Sequence, residues 1–244
     1  MIRRCNLLIA YLFNRVSFWV LGFILMGSSV AIIISSGIEN PQYYLDMHRE
    51  QGYLQWMMAC VTIMKVTLTV INTYLIIQAF YPAFTHYNVY FIQNKPDKKR
   101  LFISKMMALG LIEVWVFVHL IIVMGLTRMF ATPYGWNKGE WLALLGPLLV
   151  FGWVTLFLGI FAIQLVNSLF SGLFPLMFFY LLEHQTAIEY SSLPQWMKPL
   201  LSVIPFPFWS EGHWRIDYKI EYTVILMTIF FLINLVIFSG KDIK

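Results

Sequence analysis

The sequence predicts an all-α protein that crosses a lipid bilayer six times, and two observations support this fold class. The 244 residues are 59% hydrophobic and only 12% charged, with a mean hydropathy of +0.71. Soluble domains carry about 25% charged residues. Apolar runs also recur along the whole chain, most of them at or above the roughly 20 residues that a helix needs to cross a membrane. Lipid must therefore be the solvent for most of the surface of a single transmembrane domain, 1–244.

The apolar runs place the six spans in order. The first covers about 16–38, the second about 55–84 and the third about 105–130, while the last covers about 222–238. Between them, residues 141–182 contain no Asp, Glu, Lys or Arg. This stretch is long enough for two helices, so we expect the fourth and fifth spans there, joined by a tight turn between Gly159 and Ser171.

The first 15 residues predict a helix that lies in the membrane surface. At about 100° per residue, Arg3, Arg4 and Arg15 share one face of this helix, and mainly apolar side chains share the opposite face. The basic face would contact anionic lipid headgroups. The alternative is a cytosolic extension of the first span. Because Asn14 and Arg15 interrupt the apolar run, we do not interpret this segment as a cleaved signal peptide.

The distribution of Lys and Arg predicts the orientation of the spans. With both termini in the cytoplasm, ten of the 17 Lys and Arg residues lie inside and six outside, and Lys65 falls within a span. The bias is strongest in the segment 85–105, whose five basic residues occupy a short connection, where the positive-inside rule is most reliable. We therefore predict a cytosolic loop at 85–105 and explain the net charge of +5 by topology rather than by binding to nucleic acid.

The connection 183–221 is predicted to form short helices at the outer surface. It is too interrupted by proline for a spanning helix and too apolar for a free loop. Tryptophan is typical of a membrane interface. The residues that carry this interpretation are Pro194, Trp196, Pro199, Pro205, Pro207, Trp209 and Trp214.

Two charged side chains, Lys65 and Glu113, fall inside predicted spans, where charge is costly and marks a functional hypothesis. At about 1.5 Å per residue, both lie near the middle of the membrane. We expect them to form an ion pair across adjacent antiparallel helices. A role in substrate passage is the main alternative.

Uncharged polar side chains recur at helical spacing on two spans and could line a pathway or mediate helix contacts, the commoner use of such stripes. His119 is predicted to be an interior histidine with its hydrogen bonds satisfied. One stripe contains Thr62, Lys65, Thr69 and Asn72, and the other contains Gln164, Asn167, Ser168 and Ser171.

Sequence signatures of an enzyme are mostly missing. The chain contains neither a G-x-S-x-G nor an H-E-x-x-H pattern, and it has only two cysteines. The acids and histidine of "EHQTAIE", 183–189, are better explained as an interfacial helix cap than as a metal site, so no metal is predicted. The phosphate-binding pattern G-x-x-x-x-G-K-[ST] is also missing. This chain therefore cannot bind ATP through such a loop of its own.

The order of these elements, together with "NKPDKKRLFISKMMALGLIE" at the start of the third span, resembles the permease subunits of ABC-2-type transporters over essentially the full chain. The matching features are a basic loop with a proline, followed by Ser104 and Lys105. In that family the N-terminal element is an elbow helix, and the loop before the third span docks on an ATPase. The length is similar to that of small bacterial peptide-export and immunity permeases, such as those of phenol-soluble-modulin exporters.

The resemblance implies a bacterial cytoplasmic-membrane permease that exports an amphipathic or hydrophobic substrate, most simply a peptide. It pairs with itself or with a related permease and is powered by a separate ABC ATPase. ATP and Mg would bind on that partner, and this chain would hold no cofactor and perform no catalysis. Two alternatives are a membrane-embedded immunity or scaffold protein, and an intramembrane enzyme acting on lipid or peptide through Glu113, His119 or 183–189. The residues implied to couple to the ATPase are Asn94, Lys95, Pro96, Asp97, Lys98, Lys99 and Arg100.

Overall fold

The structure is a computed structural model that describes residues 9, 15–36, 49–84, 95–131, 138–186, 195, 199, 203–210, 213–215 and 219–240. Its helices are α1 (Arg15–Ser35), α2 (Arg49–Phe80), α3 (Lys95–Ala131), α4 (Lys138–Val166), α5 (Leu169–Gly172), α6 (Phe174–Thr186) and α7 (Ile220–Gly240). A 3₁₀ turn, Pro82–Phe84, follows α2. Two short antiparallel strands, β1 (Phe208–Ser210) and β2 (His213–Arg215), precede α7.

Five helices of the described chain are long and apolar enough to cross a membrane, which confirms the helical membrane class. They lie within α1, α2, α3, α4 and α7. The predicted fifth span differs from these because it is divided into α5 and α6, and its apolar portion, Phe174–Glu183, is shorter than the other five. Length and composition therefore identify five spanning helices in the described residues, against the six predicted.

The turn between α4 and α5 lies inside the predicted range, at Asn167 and Ser168. Asn167 has a φ of 54°, a left-handed conformation that asparagine adopts more readily than most residues. Ser168 caps α5, because its Oγ accepts a hydrogen bond from the Phe170 N–H and its own N–H donates to Ser171 Oγ. Asn167 and Ser168 of the second polar stripe therefore form the turn between α4 and α5.

The first turn of α6 packs tightly against α4 and α2. A Cβ at Gly159 of α4 would lie 2.6 Å from the Pro175 ring and 2.5 Å from Ile76 Cδ1, so only glycine fits there. Proline is accepted in a first helical turn, where its missing N–H has no partner to lose. Pro175 is therefore compatible with the first turn of α6, and its ring fills the space beside Gly159.

Helix α2 lies at the centre of the bundle. Buried side chains make up 67% of its membrane-spanning window, against 28% for α1 and 17% for α7. It contacts α1, α3, α4, α5 and α6. Apolar side chains such as Phe23 on α1 and Val236 on α7 are exposed outside this bundle, as expected of surfaces that face lipid.

The predicted cytosolic loop 85–105 is wrong for its second half, because residues 95–105 form the first three turns of α3. Lysine, arginine, leucine and methionine are good helix formers, and a proline such as Pro96 is tolerated in a first turn. Asp97 also lies in the first turn, where a carboxylate interacts favourably with the helix dipole. Residues 85–94, including Asn94, lie outside the described part of the chain.

Two further predictions fall partly on residues that the structure does not describe. The surface helix predicted for 1–15 is outside the described residues except at Ile9 and Arg15, and Arg15 begins α1. In 183–221, the described residues include the end of α6 and the hairpin, in which Phe208 pairs with Arg215 and Trp209 with Trp214. The sequence analysis did not predict this hairpin.

Candidate functional site

Three polar contacts are stacked along one face of α2. They involve Lys65, Asn72 and Ala79, which are seven residues apart. Seven residues are nearly two helical turns, so successive contacts lie on almost the same face and about 10 Å apart along the helix axis. We name them the Lys65 cluster, the Glu113 cluster and the Lys105 cluster after the ionisable residue in each.

The Lys65 cluster joins α2 to α6 and to the segment before β1. Lys65 Nζ donates to Glu183 Oε2 at 2.7 Å and to the Pro207 carbonyl at 3.1 Å. It also lies 4.3 Å from the centre of the Phe206 ring. Lys65 is only 2% exposed, and a buried ammonium group is tolerated only when it is paired and hydrogen-bonded.

The predicted ion pair between Lys65 and Glu113 is therefore wrong. Both side chains are buried in the membrane-spanning part of the bundle, as expected, but Lys65 pairs with Glu183 whereas Glu113 contacts Asn72. Asn72 is seven residues beyond Lys65 on α2, which corresponds to about 10 Å. The number of residues from each span end predicted the same membrane depth for Lys65 and Glu113. In the folded bundle the two side chains instead contact different partners, since Lys65 pairs with a residue of α6 and Glu113 with a residue of α2.

The Glu113 cluster joins α2, α3 and α4. Asn72 Nδ2 donates to Glu113 Oε1 at 3.2 Å and to the Gly152 carbonyl at 2.9 Å, and it lies 3.2 Å from Thr155 Oγ1. The Thr155 hydroxyl donates to the same carbonyl at 2.7 Å. Glu113 is completely buried, and its Oε2 has no hydrogen-bond partner among the residues that the structure describes.

The Lys105 cluster joins the start of α3 to the ends of α2 and α7. Lys105 Nζ donates to the Ala79 carbonyl at 2.5 Å, one residue before α2 ends at Phe80. The last carbonyls of a helix have no partner within it and attract cations. The ammonium also lies 5.2 Å from the Phe80 ring and 5.6 Å from the Phe238 ring. Lys105 therefore caps α2 within an aromatic environment.

The start of α3 presents part of the predicted coupling residues to solvent. Lys99 and Arg100 are exposed, Lys98 is half-buried and Asp97 is buried. Lys95 and Pro96 belong to the helix, but their side chains are not described. Among the described side chains at this end of α3, Lys99 and Arg100 supply exposed positive charge and Lys98 a half-buried one.

Thr69 and His119 form hydrogen bonds within and between helices. Thr69 is buried and donates to the Lys65 carbonyl at 2.8 Å within α2, while Thr62 is half-buried. His119 Nε2 lies 3.2 Å from Ser29 Oγ, which joins α3 to α1. His119 is half-buried, and this contact gives its Nε2 atom a hydrogen-bond partner.

In the second stripe, Gln164 and Asn167 have different environments. Gln164 is 4% exposed, and neither Oε1 nor Nε2 has a hydrogen-bond partner in the described chain. Asn167 is exposed and forms the turn. The structure therefore does not bring these two side chains together along one wall of a pathway.

An apolar cavity of about 430 Å³ lies between α3, α4 and α7. The Nε1 group of Trp153, which contributes to its wall, has no hydrogen-bond partner within the described residues. The cavity does not include any of the three polar clusters. Its other lining residues include Met107, Gly110, Leu111, Phe157 and Phe231.

Neither the role of Lys105 nor the partner of Lys65 was predicted from the sequence. Lys105 was noted only because of its position at the start of a span, and its acceptor is the backbone carbonyl of an alanine, which has no sequence signature. Glu183 was interpreted as part of an interfacial cap. The described residues contain no group of three or more His, Cys, Asp or Glu side chains able to hold a metal, although the side chains of 184–186 and residues 187–190 are not among them.

These long apolar helices, with charged groups sequestered inside the bundle, are those of a multi-pass membrane protein. Comparison with family models and with curated proteins returns no match for the chain.

Proposed function

We propose that this chain is the membrane permease subunit of an ATP-driven exporter of the ABC-2 type and that a separate ATPase subunit drives it. The substrate is an amphipathic or hydrophobic molecule, most simply a peptide, that leaves the bacterial cytoplasm or its membrane. The observation that carries the proposal is the start of α3, where exposed basic residues continue directly into a spanning helix that Lys105 attaches to α2 and α7.

Helix continuity supports transmission of force from the basic residues into the membrane. Arg100 and Lys105 are five residues apart on one helix, a distance of about 7.5 Å. A partner that displaces Lys99 and Arg100 must therefore also displace Lys105, which holds the Ala79 carbonyl at the end of α2. A displacement of the basic residues would therefore be transmitted from α3 to α2 and α7 through the contacts of Lys105.

The Lys65 cluster lies near the middle of α2, about 21 Å from the Lys105 cluster along the same face, and can act as the opposing contact. Lys65 is buried and Glu183 is its ion-pair partner, so movement of α6 away from α2 would leave the ammonium without its counter-charge. ATP binding would favour one of two packed states of the bundle. We place the Lys105 end in the cytoplasm and the Lys65 end outside, with both termini cytoplasmic, in agreement with the bias of Lys and Arg.

A sixth crossing is consistent with the combined length of α5 and α6. From Leu169 to Thr186 these helices cover a distance of about 27 Å, close to the roughly 30 Å thickness of the hydrocarbon core. We propose that they cross together as the fifth span. The surface helix at the N-terminus and pairing with a second permease complete the proposed assembly.

The test is copurification with a P-loop ATPase encoded beside this chain. The K98Q/K99Q/R100Q variant should lose most of the bound ATPase, about tenfold in affinity if the three charges together contribute roughly 1.4 kcal/mol. The matched control is K138Q/R215Q/K219Q, which removes three charges at the first residue of α4, at the last residue of β2 and just before α7. The control should bind as the wild type does, and substrate should alter the ATPase activity of the wild-type complex.

Other outcomes would contradict the proposal. If the K98Q/K99Q/R100Q variant inserted in the inverted orientation while keeping the ATPase, these residues would be topological anchors only. Protection from a peptide that survived deletion of the ATPase would indicate an immunity protein. Chemical conversion of lipid or peptide by the purified chain alone would indicate an intramembrane enzyme.

A further inference from the structure

We propose that Glu113 is a proton-binding site inside the membrane. Its carboxyl group carries a proton while α2, α3 and α4 are packed together, and it releases the proton to water when these helices separate. This inference concerns the Glu113 cluster alone. It depends neither on an ATPase partner nor on the identity of a substrate.

The carboxyl group of Glu113 is poorly solvated. Glu113 is 0% exposed, and from the described residues it accepts one hydrogen bond, at Oε1 from Asn72. Oε2 accepts none in the described structure. An ionised carboxylate normally accepts several hydrogen bonds, and a charge buried without them costs so much free energy that the group is neutralised instead.

Among the residues that the structure describes, no Lys, Arg or His side chain forms a hydrogen bond or ion pair with Glu113. On α2, the Lys65 ammonium is held by Glu183, and on α3, Lys105 is eight residues or about 12 Å along the helix and caps α2. His119, also on α3, contacts Ser29 instead. The groups of α4 that face Glu113 are the uncharged Gly152 and Thr155, and the spanning window of α4, Leu144–Val166, contains no charged residue.

A metal cation does not fit the Glu113 cluster. Glu113 Oε1, the Gly152 carbonyl and Thr155 Oγ1 converge on the amide nitrogen of Asn72, so a hydrogen-bond donor occupies the point where a cation would need oxygen ligands. Gly152 closes the other side, because a Cβ at that position would overlap Oε1. A proton needs no additional volume, so it is the ion that this geometry accepts.

Protonation links the charge of the site to helix packing. In the packed state the O–H bond of the Glu113 carboxyl is intact and the group is neutral. When α4 moves away from α2 and water enters, the O–H bond breaks, the proton passes to water and a hydrated carboxylate remains. Separation of α2 from α4 therefore releases one proton, and closing the bundle takes one up.

The primary test is infrared spectroscopy of the purified full chain in lipid nanodiscs at neutral pH. Subtracting the spectrum of E113Q from that of the wild type should reveal the C=O stretching band of a protonated carboxylic acid. The control E221Q removes a carboxylate at the exposed start of α7, so its spectrum should retain the band. The band should also persist at pH values at which exposed carboxylates are ionised.

A second measurement keeps the proposal testable if E113Q fails to fold. Carbon-13 labelling of the side-chain carboxyl groups of glutamate lowers the C=O stretching frequency of a glutamic acid, so the band of the labelled wild type should move to lower wavenumber without any substitution. A wild type without the protonated band would overturn the proposal. So would stabilisation by sodium chloride relative to choline chloride that is lost in E113Q, because it would identify a sodium site instead.

Discussion

Replacing the two members of the Lys65–Glu183 ion pair should have unequal costs. In E183Q the ammonium of Lys65, which is 2% exposed, loses its counter-charge, while the glutamine amide oxygen can still accept its hydrogen bond, as the Pro207 carbonyl does. Breaking a buried pair costs about 3–5 kcal/mol, and the 37% exposure of Glu183 together with the remaining hydrogen bond lowers our expectation to about 2–3 kcal/mol. In K65M the remaining carboxylate is the more exposed member of the pair, so we expect a loss of about 1–2 kcal/mol, mainly from the lost hydrogen bonds.

The assay is reversible unfolding in mixed micelles, applied to K65M, E183Q and the double variant. Because the double variant leaves no uncompensated buried charge, it should be less destabilised than the sum of the single variants, with a coupling of at least about 1 kcal/mol. The matched cycle of K65M with E113Q should be additive to within about 0.5 kcal/mol, because these side chains belong to separate clusters. Stronger coupling of Lys65 to Glu113 than to Glu183 would refute the assignment of partners.

Two further substitutions test the packing around the other clusters. G152A should destabilise the bundle by about 1–3 kcal/mol in the same unfolding assay, because the added Cβ overlaps the Glu113 carboxyl. K105M should lower stability by about 1–2 kcal/mol, because the Ala79 carbonyl loses its capping cation. It should also increase hydrogen exchange at the end of α2, measured by mass spectrometry.

The controls for these two substitutions lie on α3. G125A is the control for G152A, because a Cβ at Gly125 meets no atom within 4 Å and the replacement of a helical glycine should be neutral or slightly stabilising. K99M removes an exposed charge near the start of α3 and should leave exchange at the end of α2 unchanged. Equal losses in G152A and G125A, or in K105M and K99M, would contradict the contacts described above.

The class of protein and most helices could be predicted from the sequence because they depend on local composition. Long apolar runs predict spanning helices wherever they occur, and the turn at Asn167 lies inside the predicted interval. The boundary at 95–105 was misplaced because a dense run of charge was interpreted as a loop. Lysine and arginine are compatible with a helix whose first turns leave the membrane.

The partners of the buried charges depend on tertiary packing and could not be predicted in the same way. Lys65 and Glu183 are 118 residues apart in sequence, and Pro207 is 142 residues from Lys65. Periodicity identifies the face of α2 on which Lys65 lies, but not which of several helices covers that face. Composition predicted the fifth span as one helix, but the chain there is divided into α5 and α6.

Because the three clusters occupy nearly one face of α2 but attach it to different neighbours, they restrict its rotation about its own axis. A rotation by one residue, about 100°, would move Lys65, Asn72 and Ala79 away from all their partners at once. Tilting breaks fewer contacts than rotation does. A pivot at Asn72 can leave the Glu113 cluster in place while the parts of α2 on either side of it move in opposite directions. We therefore expect the low-energy motion of α2 to be a rocking movement about the Glu113 cluster, in which opening one end brings the other closer to its neighbours.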